Sequence, residues 1–109
     1  MPLIRINGAQ LCDWDRFHSV FASAFGFPDY YGRNMDAWID CMSSLDAREQ
    51  GMTSVHGSAA DPVVVHLESA DVVPKDIFDA LVECAGFVDW RRLKMGDPAI
   101  LVLSFSRAG

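Results

Sequence analysis

The run Val63-Val64-Val65-His66-Leu67, entered from Pro62, constrains the fold more than any other part of the chain. It is continuous, rich in β-branched residues, and closed by Glu68 and Asp71, which is the composition of a strand. A strand without polar alternation belongs inside a parallel sheet, covered on both faces or flanked on both sides. Parallel neighbours cannot be joined by tight turns. They need crossover connections, usually helical and right-handed, so helices must lie between the strands and pack on the sheet. His66 inside this run reads as a hydrogen-bonded core histidine, not as a ligand.

The rest of the chain supplies those parts. Leu3, Ile4 and Ile6 alternate around Arg5 and stop at Asn7-Gly8, predicting a short strand over 2–6 at a sheet edge. Asp13 stands as an N-cap before the helical stripe Trp14, Phe17, Val20, Phe21, Ala24 and Phe25, with Gly26 as its stop. A second helix over 34–46 starts at Asn34 and places Met35, Trp38, Met42 and Leu45 on one face, with Cys41 at the flank. Pro74 opens a third, whose apolar stripe is Ile77, Leu81, Cys84, Ala85 and Val88. Arg91, Arg92 and Lys94 gather at its carboxyl end, where the helix dipole favours cations. Gly96-Asp97-Pro98 ends it, and Ala99 to Phe105 is an apolar run suited to a third parallel strand. Residues 46–61 are a long glycine-containing connection, in which Met52 to Val55 are expected to form a brief edge strand. The prediction is an α/β fold, a small three-stranded parallel sheet packed by helices in the order β-α-α-β-α-β, as one domain over 1–109.

The net charge of -6 argues against nucleic-acid binding, since a phosphate backbone demands a basic stripe. A basic protein suits an acidic chain better, although acidity also serves solubility alone. No signal peptide or membrane-spanning run is evident, so the expected address is the cytoplasm. Cys12, Cys41 and Cys84, odd in number and widely spaced, read as reduced core thiols and not as disulfides or metal ligands.

The stretch from Phe27 to Met42 holds the functional candidates. Pro28 restricts Phe27, Gly32 permits a backbone conformation other residues resist, and Asn34 caps the helix. Asp36 and Asp40 lie opposite the apolar face, one turn apart, a like-charge arrangement costing a few tenths (about 0.2–0.5) of a kcal/mol in an isolated helix. As a catalytic pair they lack a pocket, a metal or a neighbouring histidine or lysine. The chain has no phosphate-binding glycine loop, Cys-x-x-Cys, His-Glu-x-x-His or Gly-x-Ser-x-Gly. His18, beside the aromatic stripe of the first helix, is expected half-buried or at the surface, with no nucleophile near it in sequence. A non-catalytic binding surface is the better reading: Tyr30, Asn34, Asp36, Ile39 and Asp40 form one patch of aromatic, amide, apolar and acidic groups. Fixed carboxylates accept bidentate hydrogen bonds from arginine, so an acidic helix can plug a cationic phosphate pocket.

Pro28-Asp29-Tyr30-Tyr31-Gly32-Arg33-Asn34-Met35-Asp36-Ala37-Trp38-Ile39-Asp40-Cys41-Met42 resembles the barstar motif Pro-Glu-Tyr-Tyr-Gly-x-Asn-Leu-Asp-Ala-Leu-Trp-Asp-Cys-Leu. Weaker likeness extends over the whole chain. The resemblance implies an intracellular inhibitor, of the immunity or antitoxin kind, directed at a small basic secreted ribonuclease of the barnase type. It implies Asp40 as the principal phosphate mimic, Asp36 in support, contacts from Tyr30, Gly32 and Asn34, and Tyr31 nearer the core. It implies no cofactor, no metal, no direct nucleic-acid or membrane contact, and a monomer when free. Three departures stand out. The family's Leu-Trp pair is Trp38-Ile39, so a smaller aliphatic contact replaces an exposed aromatic one. Arg33 stands where barstar has glutamate, reversing a charge on the rim. The family's further acid on the last helix aligns with no single residue, leaving Asp79 or Glu83. The alternative function is a regulatory module of the same fold that binds a different basic protein.

Overall fold

The computed structural model describes residues 2–108. Its strands are β1 (Leu3–Asn7), β2 (Val63–Glu68) and β3 (Leu101–Phe105), and its helices α1 (Trp14–Phe25), α2 (Met35–Met42) and α3 (Lys75–Lys94). The sheet is parallel in the order β1-β2-β3, with Ile4 opposite Val65 and Val65 opposite Leu103. The fold is therefore the expected α/β architecture, with the valine run at its centre and the strand bearing Arg5 at its edge.

Of the two environments open to that run, flanking on both sides is the one realised. Val63, Val65 and Leu67 are buried, whereas Val64, His66 and Glu68 are half-buried. The inward row meets the buried stripes of all three helices in one core, so the helices share one side of the sheet. His66 belongs to the other side and is not a core residue, yet it is satisfied. Its Nδ1 lies 2.7 Å from the Ser104 hydroxyl and its Nε2 3.1 Å from that of Ser106.

Helix α1 begins and ends where its sequence dictates. Asp13 Oδ1 accepts from Arg16 N at 2.7 Å, and Gly26, in the left-handed region at φ 67°, closes it by donating to the Ala22 carbonyl. Its Phe17, Phe21 and Phe25 are fully buried, and Phe17 and Phe21 meet Trp38 of α2, edge-on to Phe21 with centroids 5.7 Å apart. Trp38 Nε1 is buried without a hydrogen-bond partner among the described residues.

Helix α2 stops at Met42, short of the expected 46. The pattern changes at Ser44, whose N donates to the Cys41 carbonyl at 3.2 Å while its Oγ donates to the Asp40 carbonyl at 3.3 Å. Such local bonds compete with helical ones. Leu45 still reaches the core, from the turn beyond. No strand forms at Met52 to Val55 either. The backbone there is held by the end of α1 and by its own side chains, with Ser54 N donating to the Phe25 carbonyl at 2.7 Å and Thr53 Oγ1 to that of Val55 at 2.7 Å. These groups are spent before a strand partner could use them.

Helix α3 buries Ile77, Leu81, Ala85 and Val88 as its stripe requires, and it also buries Arg92. The basic cluster at its end thus does more than complement the dipole. Just before it, Asp89 Oδ1 accepts from Ile100 N at 2.9 Å and Leu101 N at 3.2 Å, fixing the entry to β3, which starts at Leu101 rather than Ala99. The three cysteines are free thiols, but Cys12 is exposed, not in the core. Burial pushes the Cys41 thiol up to about 11.

Candidate partner-binding site

The site is built by the turn before α2. Tyr31 N donates to the Pro28 carbonyl at 2.9 Å, and two residues later the chain passes through the left-handed region. The residue that does so is Arg33, at φ 54°, not Gly32. Gly32 serves a different need: a Cβ there would stand 3.1 Å from Asn34 Nδ2. A left-handed arginine costs roughly 1–2 kcal/mol, and Arg33 is held there by its own guanidinium. Its Nη2 donates to Asp15 Oδ1 and the Asp15 carbonyl, both at 2.8 Å, and to Ser19 Oγ at 3.0 Å. Its charge is therefore turned onto α1 and paired, instead of standing free on the rim.

Asn34 then caps α2. Its Oδ1 accepts from Ala37 N at 2.8 Å and its Nδ2 donates to the Gly32 carbonyl at 3.2 Å, so the amide is occupied within the chain and acts as a positioning residue. Under the turn, the Tyr31 hydroxyl and His18 Nδ1 are hydrogen-bonded at 2.6 Å. His18 is buried, deeper than its sequence suggested, because the aromatic rings of Trp14, Phe17 and Tyr31 surround it.

Burial, and secondarily the Arg33 guanidinium, hold the His18 imidazole below its ordinary value of 6.5, with Asp15 pulling the other way. Burial holds the Tyr31 phenol well above its usual range. A histidine depressed by folding contributes stability that is complete above pH 6.5 and declines as the pH falls through its lower folded value. The urea midpoint is accordingly expected to drop between pH 7.5 and 5.5, and to drop less in His18→Leu. Parallel declines in the two proteins would show that His18 is not the source of the effect.

With Trp38, Cys41 and Met42 locked in the core, Asp36 and Asp40 face outward. Five of the six predicted residues fall around two depressions. Tyr30, Gly32 and Asp40 line one, with Ala37 and Met52, whose sulfur accepts from the Tyr30 hydroxyl at 3.4 Å. Asp36 and Ile39 line the other, a groove against α3 shared with Glu83, Cys84 and Phe87. Of the two candidate acids on α3, Glu83 is thus on this face, while Asp79 is paired with Lys75 one turn towards the helix start. Asn34 lies on the α1 side, in a depression with Asp15, His18 and Arg33.

Two features escaped the sequence. Phe87 and Trp90 are exposed on α3 with ring centroids 5.6 Å apart, placing aromatic surface next to Ile39; their position off the Ile77–Val88 stripe was the available signal. The other is Arg91, whose Nη2 lies 3.3 Å from Asp40 Oδ1 and 2.9 Å from Ser43 Oγ. Asp40 is thus not without a neutralising partner inside its own chain, although its side chain remains 63% exposed. Asp36 has no hydrogen-bond or ion-pair partner among the described residues.

The sequence matches the family model described as Barstar (barnase inhibitor) over residues 1–95. The chain belongs to the barstar family. A Bacillus subtilis (strain 168) protein named "Putative ribonuclease inhibitor YrdF" is 31% identical over 91 residues, covering 76% of this chain and 100% of that protein. The barstar match spans β1 to the end of α3, including the whole α2 face and Arg91. Among the described residues no helix is long and apolar enough to cross a membrane, and no cluster of His, Cys, Asp or Glu is arranged to hold a metal.

Proposed function

We propose that this barstar-family chain inhibits a small basic secreted ribonuclease by presenting the acidic face of α2 to its phosphate-binding site. The reading rests on one observation above others: Asp40 is exposed at the rim of the Tyr30–Gly32 depression while Trp38, Cys41 and Met42 of the same helix are buried. The carboxylate is held by a packed helix, so little ordering is needed on association. Asp40 takes the place of a substrate phosphate, Asp36 adds charge one turn away, and Tyr30 and Ile39 supply apolar contact. Glu83 extends the negative surface across the groove to α3. No chemistry is performed on a substrate. The chain acts in the cytoplasm, as a monomer when free, where it protects the producing cell.

Titration of barnase against an RNA substrate tests this. Activity should fall in proportion to added inhibitor, and undiminished turnover at a large molar excess would count against the proposal for barnase-type enzymes. A second reading keeps the same acidic face but assigns it a basic partner without nuclease activity. Ile39, where the family motif has an exposed tryptophan, is the observation that favours it. Inhibition of any ribonuclease at stoichiometric concentration decides for the first.

A further inference from the structure

We propose that Arg91 is a specificity-determining residue of the inhibitory face: an internal cation that occupies one oxygen of Asp40 and lowers affinity for a ribonuclease with a densely cationic phosphate site. The inference rests on the preceding reading of Asp40 as the phosphate mimic. Its basis is the geometry between α2 and α3. Arg91 Nη2 lies 3.3 Å from Asp40 Oδ1 and donates to Ser43 Oγ at 2.9 Å, and that hydroxyl in turn donates to the Ile39 carbonyl at 2.6 Å. The guanidinium is therefore fastened to the rim of α2 by a residue other than Asp40. It does not leave simply because Asp40 finds a new partner.

Its neighbour Arg92 is buried and bonded to Asp46, which fixes the backbone from which Arg91 projects. The contact to Asp40 uses one nitrogen and one oxygen, leaving Oδ2 open, and both side chains are partly exposed at 39% and 63%. Such a pair is weak. It attenuates binding instead of preventing it. A phosphate pocket approaching Asp40 brings arginine, lysine or histidine against Arg91, and like charges juxtaposed at an interface are unfavourable. The same approach must share or displace the existing Arg91–Asp40 contact. Both consequences act in one direction, against partners that crowd cations around Asp40, and specificity built from such a repulsive element is a difference of affinities.

The test measures association and dissociation rates with barnase for the wild-type chain, Arg91→Ala, Arg91→Met, Arg91→Lys and Asp40→Ala at two salt concentrations. Arg91→Met retains the apolar stem, so it separates loss of charge from loss of packing, and thermal melts establish that each variant is folded. Removing the charge is expected to tighten binding by about three- to ten-fold at low salt, mainly through faster association, with the gain shrinking as salt rises. Arg91→Lys is expected to stay near wild type. If Asp40→Ala weakens binding but neither uncharged Arg91 variant tightens it, the inference is overturned and the role of Asp40 survives. If Asp40→Ala binds as the wild type does, or neither binds, the reading of Asp40 fails and the inference goes with it.

Discussion

Asp40→Ala is expected to weaken binding to the target ribonuclease by about 2–5 kcal/mol, a loss of tens- to thousands-fold in affinity. The scale is that of truncating one member of a buried, hydrogen-bonded charge pair, and barnase–barstar, the family's own namesake complex, is among the systems that set it. Here the loss has two sources. The partner's cations stay buried without their counter-ion, and Arg91, still held by Ser43, becomes an uncompensated positive charge in the same place. Stability should barely respond, because the exposed Arg91–Asp40 pair contributes at most about 1 kcal/mol. Asp36→Ala, removing a charge without an internal cation beside it, is expected to cost less. Inhibition constants for both variants, with thermal melts alongside, measure the difference. Wild-type inhibition by Asp40→Ala would remove the basis for the proposed mechanism.

The second large effect is on stability, at a clasp between the end of α2 and the end of α3. Arg92 is 5% exposed, yet each of its three guanidinium nitrogens is hydrogen-bonded. Nη1 and Nη2 reach the two oxygens of Asp46 at 3.0 and 2.9 Å, Nη1 also donates to the Ser43 carbonyl at 2.9 Å, and Nε to the Pro98 carbonyl at 2.8 Å. Asp46→Ala leaves a buried cation facing only carbonyls. Breaking a buried pair costs about 3–5 kcal/mol, but the Asp46 side chain is 40% exposed and water can replace part of it. The expected loss is therefore about 2–3 kcal/mol. Arg92→Met in the Asp46→Ala background should recover some of it, since the stranded charge is gone. Urea unfolding of the two single variants and the double variant gives the coupling; additive losses would show that the pair is not a unit. Hydrogen bonding from Arg92 holds the Asp46 carboxyl below its ordinary 3.8. Its contribution is thus complete above that pH and lost as the pH falls through the lower folded value. Asp46→Asn should flatten the acid side of the stability profile accordingly.

This clasp also bears on binding, because it sets where α3 lies against α2. It positions Arg91 beside Asp40 and brings Glu83 and Phe87 to the groove that Asp36 and Ile39 line. Nothing in the local pattern around Arg91 or Arg92 distinguishes them from ordinary cations at a helix end. Their partners Asp40, Ser43 and Asp46 are 46 to 51 residues away in the chain.

Signals confined to one turn or one element were legible. Asp13 and Asn34 cap the helices they precede, Gly26 ends α1, and the valine run lies at the centre of a parallel sheet. Features needing two distant segments were not. The left-handed position fell on Arg33 because Asp15 and Ser19 of α1 hold its side chain. The stretch from Met52 to Val55 formed no strand because the end of α1 and the Thr53 hydroxyl had already taken backbone groups it would need. His66 fell on the open side of the sheet because one layer of helices covers only one side.

The sequence by itself determined the order and type of the three strands and three helices, though not where α2 and β3 are bounded, and which face of α2 carries Asp36 and Asp40, because backbone periodicity and capping act over a few residues. Only the tertiary structure decided what surrounds those acids: Tyr30 and Met52 on one flank, Glu83 and Phe87 on the other, and Arg91 against Asp40 itself. The reason is that electrostatic and packing contacts depend on distance in space, which the crossover from α2 through β2 to α3 sets and the local pattern does not record.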